Sequence, residues 1–373
     1  MTSNNASLHA VMDVLLKFED PDLLEHVNDP TERDISAAAR AGGTLFLSCD
    51  ETAGVERLRP VGEGRWGAHT HINLGEFFDL PDGPGGEMDI EGLETAEGPD
   101  GPWLWVTGSH ALKRRKPKRE EHDADKALRR MGKLKRDPNR YFLGRLPLRR
   151  DADGGLTPVA EDGARRAASL PLDEDQSVLV EMLAGDPLLG PFMELPAKEN
   201  GFDIEGLAAT GTRVWLGLRG PVILGHAVVI ELALDPGPDG TLLFGEVEDG
   251  RGYAKHLLPL RGLGLRDLRR IGDDILCLTG PTLDAAGPAH VCRWRGALTA
   301  EGSGVVAENA IEHLIDLPMR ADGDKAEGLA RWREAGPDAW LVVHDDPVPA
   351  RLDLRERTLK ADVIRLPGTG DGG

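Results

Sequence analysis

The chain has 373 residues, 40% apolar and 29% charged, a composition that excludes intrinsic disorder and fits one large domain or two ordinary ones. Against 64 Asp and Glu stand 44 Lys and Arg, and the net charge of −20 repels nucleic acid and anionic membrane over most of the surface. Three cysteines, Cys49, Cys277 and Cys292, without C-x-x-C spacing, exclude a disulfide scaffold and a thiolate zinc site.

The opening stretch lacks a basic start and a long apolar core, so no signal peptide is expected. No apolar run approaches the ~20 residues of a membrane span. A cytoplasmic protein is the expectation.

In chain order, the first element is LHAVMDVLLKFED at 8–20, which reads as an outer strand. A phrase then recurs: an acidic residue, Glu-Gly-Leu, a polar turn and a short apolar strand. Strong copies are MDIEGLETAEGPDGPWLWVTGSH at 88–110, FDIEGLAATGTRVWLGLRGP at 202–221 and KAEGLARWREAGPDAWLVVHDDP at 325–347. Two eroded copies, DISAAARAGGTLFLSCDE at 34–51 and LRDLRRIGDDILCLTGPT at 265–282, lack Glu-Gly. A third apolar segment follows each copy: VERLRP from Val55, YFLGRLPL from Tyr141, AVVIELAL from Ala227, VCRWRGAL from Val291 and ARLDL from Ala350. Several alternate apolar and polar residues, as half-buried antiparallel strands do.

The copies recur roughly every 60 residues, except for an interval about twice as long between the first and second strong phrases. That interval carries KRRKPKREEHDADKALRRMGKLKR at 113–136, where Ala124, Leu128 and Met131 fall at helical spacing. It also carries DEDQSVLVEML at 173–183, which reads as a helix with an acidic start. From Lys113 to Arg150 there are 16 Lys and Arg against 5 Asp and Glu. The fold expected is all-β, a β-propeller of five blades with six as the alternative. The basic helical insertion lies between the second and third repeat units. The organisation expected is a single domain over 1–373, a basic helix-containing insertion at 111–140, a second helical insertion at 170–195 and a flexible tail at 367–373. The first strand would join the last blade and close the ring.

The phrases NGFDIEGLAATGTRVWLGLRGPVILGHAVVIEL, MDIEGLETAEG and YAKHLLPLRGLGLRDL, with GSHALKRRKP and PNRYFLGRLPL, resemble the bacterial domain of unknown function 3616 family from about Ile35 to about Leu354. That resemblance implies a propeller-like fold and carries over no catalytic residue. The x-E-G-L phrase is also similar to that of esterase-like phytase propellers, with Lys325 standing where the leading Asp is expected.

In a propeller, equivalent ends of the inner strands form a ring around the channel. One predicted set is Asp89, Glu91, Asp203, Glu205 and Glu327, candidate ligands for a hard divalent cation such as Ca²⁺ or Mg²⁺. The other is Asp50, Glu51, Ser109, His110, Arg219, Thr279, His344 and Asp345. Arg219, Lys255 and Arg266 are candidate clamps for an anionic substrate, and His110 or His256 a candidate general acid or base. The alternative for each Glu-Gly is a structural latch between blades, and for Arg219 an internal salt bridge to Asp203 or Glu205. The pair His69 and His71 share one strand face, as a metal pair or simply a polar face. No phosphate loop, H-E-x-x-H pair or dinucleotide fingerprint is present, so no nucleotide cofactor is expected.

Two functions follow as expectations. One is metal-assisted hydrolysis of a small phosphate or carboxylate ester at the central channel. The other is a non-catalytic interaction scaffold that uses the basic insertion or a propeller face on an acidic protein partner.

Overall fold

The computed structural model describes residues 10–19, 31–118, 123–173, 177–283, 287–318 and 323–370. The fold is all-β and of the propeller type. Strands β2 (Ile35–Ala41), β3 (Thr44–Cys49), β4 (Gly54–Gly62) and β5 (Arg65–Asn73) form an antiparallel meander. The next sheet runs β6 (Ile90–Gly98), β7 (Gly101–Gly108), β8 (Leu143–Arg150) and β9 (Leu156–Pro158). The plan repeats in β10 (Asp203–Thr210), β11 (Arg213–Gly220), β12 (Ala227–Pro236) and β13 (Tyr253–Leu258). It repeats again in β14 (Gly264–Ile271), β15 (Asp274–Gly280), β16 (Ala289–Trp294) and β17 (Ile311–Leu317).

The last sheet contains β18 (Lys325–Arg331), β19 (Ala339–Asp345) and β20 (Thr358–Arg365) from the C-terminal part of the chain. Its outer strand comes from the start of the chain. Strand β1 (Met12–Lys17) pairs antiparallel with β20 from Met12–Val363 to Lys17–Thr358. It also pairs parallel with β5 at Leu15 and Leu16. The side chains of Val14, Leu16 and Phe18 are fully buried, and burial of each contributes about 1.5 to 3 kcal/mol. The first strand thus joins the last sheet as its outer strand, the place expected for the segment at 8–20.

The first strand of each sheet packs on the first strand of the next, and β18 returns to β2. These strands are buried on both faces, which explains their nearly continuous apolar and small residues. Each gap between neighbouring sheets holds its own apolar cluster. Trp105 and Leu216 meet in one, Phe46 and Leu93 in another, and Trp340 and Leu278 in a third.

The basic segment leaves β7 and returns to β8, so it interrupts the second sheet and does not lie between the second and third repeat units as expected. Its helix α1 (Ala124–Met131) is capped by Asp123, whose side chain accepts from the Asp125 and Lys126 amides. None of its residues is buried, and Leu128 is 66% exposed. Helix α2 (Val178–Ala184) follows the Ser177 cap and begins five residues after the acidic start expected at Asp173, and residues 174–176 lie outside the described residues. The expected flexible tail at 367–373 does not hold for 367–370. Thr369 is fully buried and accepts from Trp340 Nε1 at 2.9 Å, while 371–373 lie outside the described residues. No described helix is long and apolar enough to cross a membrane.

Candidate functional site

The Glu-Gly phrase builds the channel wall through an irregularity in the strand ladder. In every inner strand one residue is skipped by the pairing register: Ser36 in β2, Glu91 in β6, Glu205 in β10, Arg266 in β14 and Glu327 in β18. Such a bulge re-aims one side chain. Here all these residues line a single cavity of roughly 1180 Å³ at the centre of the ring.

The glycine after each glutamate has a separate cause. A Cβ on Gly206 would lie 2.9 Å from Leu268 Cγ, and one on Gly328 would lie 3.0 Å from the Ala38 amide nitrogen. Each glycine lets one inner strand approach the next. In β14 this position is Asp267, whose carboxylate instead accepts from the Leu329 amide at 2.7 Å and from Arg269 Nε at 2.9 Å. Burial pushes Asp267 up to about 7.

The ring is electrically lopsided. On one side Arg266 lies 2.8 Å from Glu205 and is also paired with Glu327. Arg219 reaches Glu205 at 2.9 Å and Asp203 at 3.8 Å. This side neutralises itself, and the internal salt bridge expected for Arg219 is present. Even so, burial and neighbouring carboxylates raise Asp203 to about 8. Burial raises Glu327 to about 8 as well, against the pull of Arg266.

On the other side the bulge positions are Ser36 and Glu91, and no arginine takes the place of Arg266. Donor oxygens of Asp50, Asp89 and Glu91 lie within 4.8 Å of one another. Asp89 is paired with Arg140 and lies 3.9 Å from Lys113 Nζ. Asp50 and Glu91 have no such cationic partner among the described residues. Burial, then the charges of Asp34 and Asp89, hold Asp50 well above the usual carboxylate range. Burial, then Asp50, Glu205 and Asp89, do the same to Glu91. Three carboxylates at this spacing suit a hard cation with oxygen ligands at about 2.4 Å, since two such ligands stand at most about 4.8 Å apart.

The predicted residues divide accordingly. Asp89, Glu91, Asp203, Glu205, Glu327, Arg219 and Arg266 all line the cavity. Of the predicted cation ligands, Asp203, Glu205 and Glu327 are committed to arginine, and the carboxylates that cluster are Asp89 and Glu91 with Asp50.

Three predicted residues are corrected, for none of them lines the cavity. His110 is buried and bonded to Ser177 Oγ at 3.3 Å and Phe142 O at 3.2 Å, and burial lowers its pKa to about 4. His256, on the outer strand β13, bonds Glu231 at 2.9 Å and packs on Trp294. Lys255 pairs with Asp186. All three are absorbed by local packing. His69 and His71 both bond the buried Glu56, which accounts for the polar strand face.

Sequence reasoning missed Arg140, because it comes from the insertion and not from a repeat. It placed Asp50 at a strand end but not among the cation ligands. The basic segment pairs with nearby acids: Lys113 with Glu87, Arg114 with Glu199 and Arg136 with Glu194.

The family described as Protein of unknown function (DUF3616) matches residues 34–362. The chain belongs to this family. No curated protein matches the sequence. Similar solved structures include the PQQ-bound aldose sugar dehydrogenase of Streptomyces coelicolor, at 14% identity and TM-score 0.37, covering 96% of this chain and 98% of that one. The glutaminyl cyclase of Myxococcus xanthus is 9% identical at TM-score 0.37, with 96% and 97% covered. An engineered GH43 glycoside hydrolase is 12% identical at TM-score 0.41, with 91% of this chain and 50% of that chain covered. None of these likenesses is close enough to assign this DUF3616 member an activity or a ligand.

Proposed function

We propose that this DUF3616 protein is a five-bladed propeller hydrolase that takes a small anionic phosphate or carboxylate ester in its central cavity. A hard divalent cation, Ca²⁺ or Mg²⁺, would be held by Asp50, Asp89 and Glu91. The observation that carries the reading is the lopsided ring: one side is neutralised by arginines, and the other leaves three crowded carboxylates.

Such a cation polarises an ester or phosphoryl group as a Lewis acid. The chain's own residues supply the rest. Arg219 and Arg266 face the same cavity and offer planar N–H forks to an anionic group. Asp203 and Glu327, held near 8, can give or take a proton close to neutral pH. Arg140 fixes the Asp89 carboxylate from outside the repeat.

The test is turnover of p-nitrophenyl phosphate and p-nitrophenyl acetate by metal-stripped protein with added Ca²⁺, Mg²⁺ or Mn²⁺. Cation-dependent turnover that is lost in a folded Glu91→Gln protein supports the reading. Equal turnover in the two proteins contradicts it.

A second reading, an interaction scaffold, is favoured by the exposed apolar residues Leu128, Met131 and Leu134 in the basic insertion. It predicts that Leu128→Asp weakens capture of an acidic partner and leaves the thermal transition unchanged.

A further inference from the structure

Away from the central cavity, strands β16 and β17 bring together a different set of donors. His290 Nδ1 lies 2.6 Å from Asp316 Oδ1, and His313 Nε2 lies 2.7 Å from the same oxygen. The two rings meet edge to face with centroids 5.3 Å apart. The donor atoms of all three residues fall within 4.8 Å of one another.

The backbone explains how residues three apart share a face. In a regular strand His313 and Asp316 would point to opposite sides. The β16–β17 ladder pairs His290 with Asp316 and Val291 with Ile315, then shifts so that Cys292 meets His313. Leu314 is the extra residue. This bulge reverses the alternation and turns His313 toward Asp316 and His290.

We propose that His290, His313 and Asp316 form a binding site for a divalent transition-metal ion, with Zn²⁺ as its first occupant. Two imidazole nitrogens and one carboxylate are a borderline donor set, suited to Zn²⁺ and not to the hard cations favoured by an all-carboxylate cluster. Each imidazole nitrogen already faces Asp316 Oδ1 at hydrogen-bond distance, so the three donors converge on the space between them. Tetrahedral ligation at about 2.0 to 2.1 Å spaces donors about 3.3 Å apart, so a small outward turn of the rings admits the ion. The side chains of His313 and Asp316 are 53% and 64% exposed, which leaves room for that turn and for water as a further ligand. Stability does not account for the cluster, since exposed pairs of this kind contribute little.

The site is independent of the cavity reading, and its test is kept separate. Metal-stripped full-length protein is titrated with ZnCl₂ by calorimetry, beside His313→Gln, Asp316→Asn and the cavity variant Glu91→Gln. Both replaced side chains are exposed, so the metal-free melting temperatures should match wild type. The expected result is Zn²⁺ binding that weakens at least about tenfold in His313→Gln and in Asp316→Asn and persists in Glu91→Gln. With Cu²⁺ as a probe, the electron paramagnetic resonance spectrum should show two nitrogen ligands in wild type and one fewer in His313→Gln. Absence of Zn²⁺ binding by wild type, or unchanged affinity in both His313→Gln and Asp316→Asn, overturns the proposal.

Discussion

Arg266 stands at the bulge of its inner strand, where Glu205 stands in the neighbouring one, and the two side chains meet at 2.8 Å. One position in the repeat therefore carries opposite charges on adjacent strands, and Arg266 also pairs with Glu327 on its other side. Arg266→Met would keep the bulk of the side chain and leave two buried carboxylates short of a partner. Breaking a buried pair from one side costs about 3 to 5 kcal/mol. Urea unfolding should show a loss of this size, with less in Arg266→Lys.

The glycine of the repeat is a packing requirement. A Cβ on Gly328 would lie 2.8 Å from Val343 Cγ2 and 3.0 Å from the backbone nitrogen of Ala38. Because a backbone atom cannot swing aside, Gly328→Ala should separate β18 from β2 and destabilise by about 1 to 3 kcal/mol. Gly42, whose Cβ would meet nothing but whose φ is +55°, gives a useful contrast. Gly42→Ala should cost about 1 kcal/mol from backbone strain alone. Parallel denaturant curves check the difference.

The acid channel sets a direction for pH dependence. Asp203 and Glu327 are raised to about 8, and Asp50 and Glu91 are raised too, so the folded state prefers them protonated. Their contribution to stability is full below the ordinary carboxylate range near 4 and is lost as pH rises through about 8. Metal-free protein should therefore melt at lower temperature as pH rises from about 6 to about 9. In Glu91→Gln, which cannot ionise there, the decline should be shallower. Scanning calorimetry across that range tests both statements.

Much of the fold was legible because the apolar strands recur in all five copies, three of which keep the Glu-Gly phrase. The phrase marks the inner strand, and the apolar segment at 8–20 marks the closing strand β1. The site was only half legible. Glu91, Glu205 and Glu327 were visible as a set, yet their environments differ because Ser36 and Arg266 occupy the matching bulges in the eroded copies. A sequence phrase does not say which neighbour a side chain will face. Arg140 reaches Asp89 from a loop with no repeat signal, and His110 and His256 read as catalytic only until their buried partners Ser177 and Glu231 are known. His290 and His313 were passed over because three-residue spacing from His313 to Asp316 does not suggest one strand face until the bulge at Leu314 is known.

The most direct test of the central claim is a thermal-shift titration of metal-stripped protein with Ca²⁺ and Mg²⁺ at about pH 8, in wild type, Asp50→Asn, Glu91→Gln and Glu205→Gln. An ion that binds only the folded state stabilises it by about 2.7 kcal/mol at a hundredfold excess over Kd. The lopsided ring predicts a cation-dependent rise in wild type that is abolished in Asp50→Asn and Glu91→Gln. Glu205→Gln, whose carboxylate serves the arginines, should lower the metal-free melting temperature and keep the rise. No shift with either cation in wild type, or a rise that survives in both Asp50→Asn and Glu91→Gln, would contradict the account.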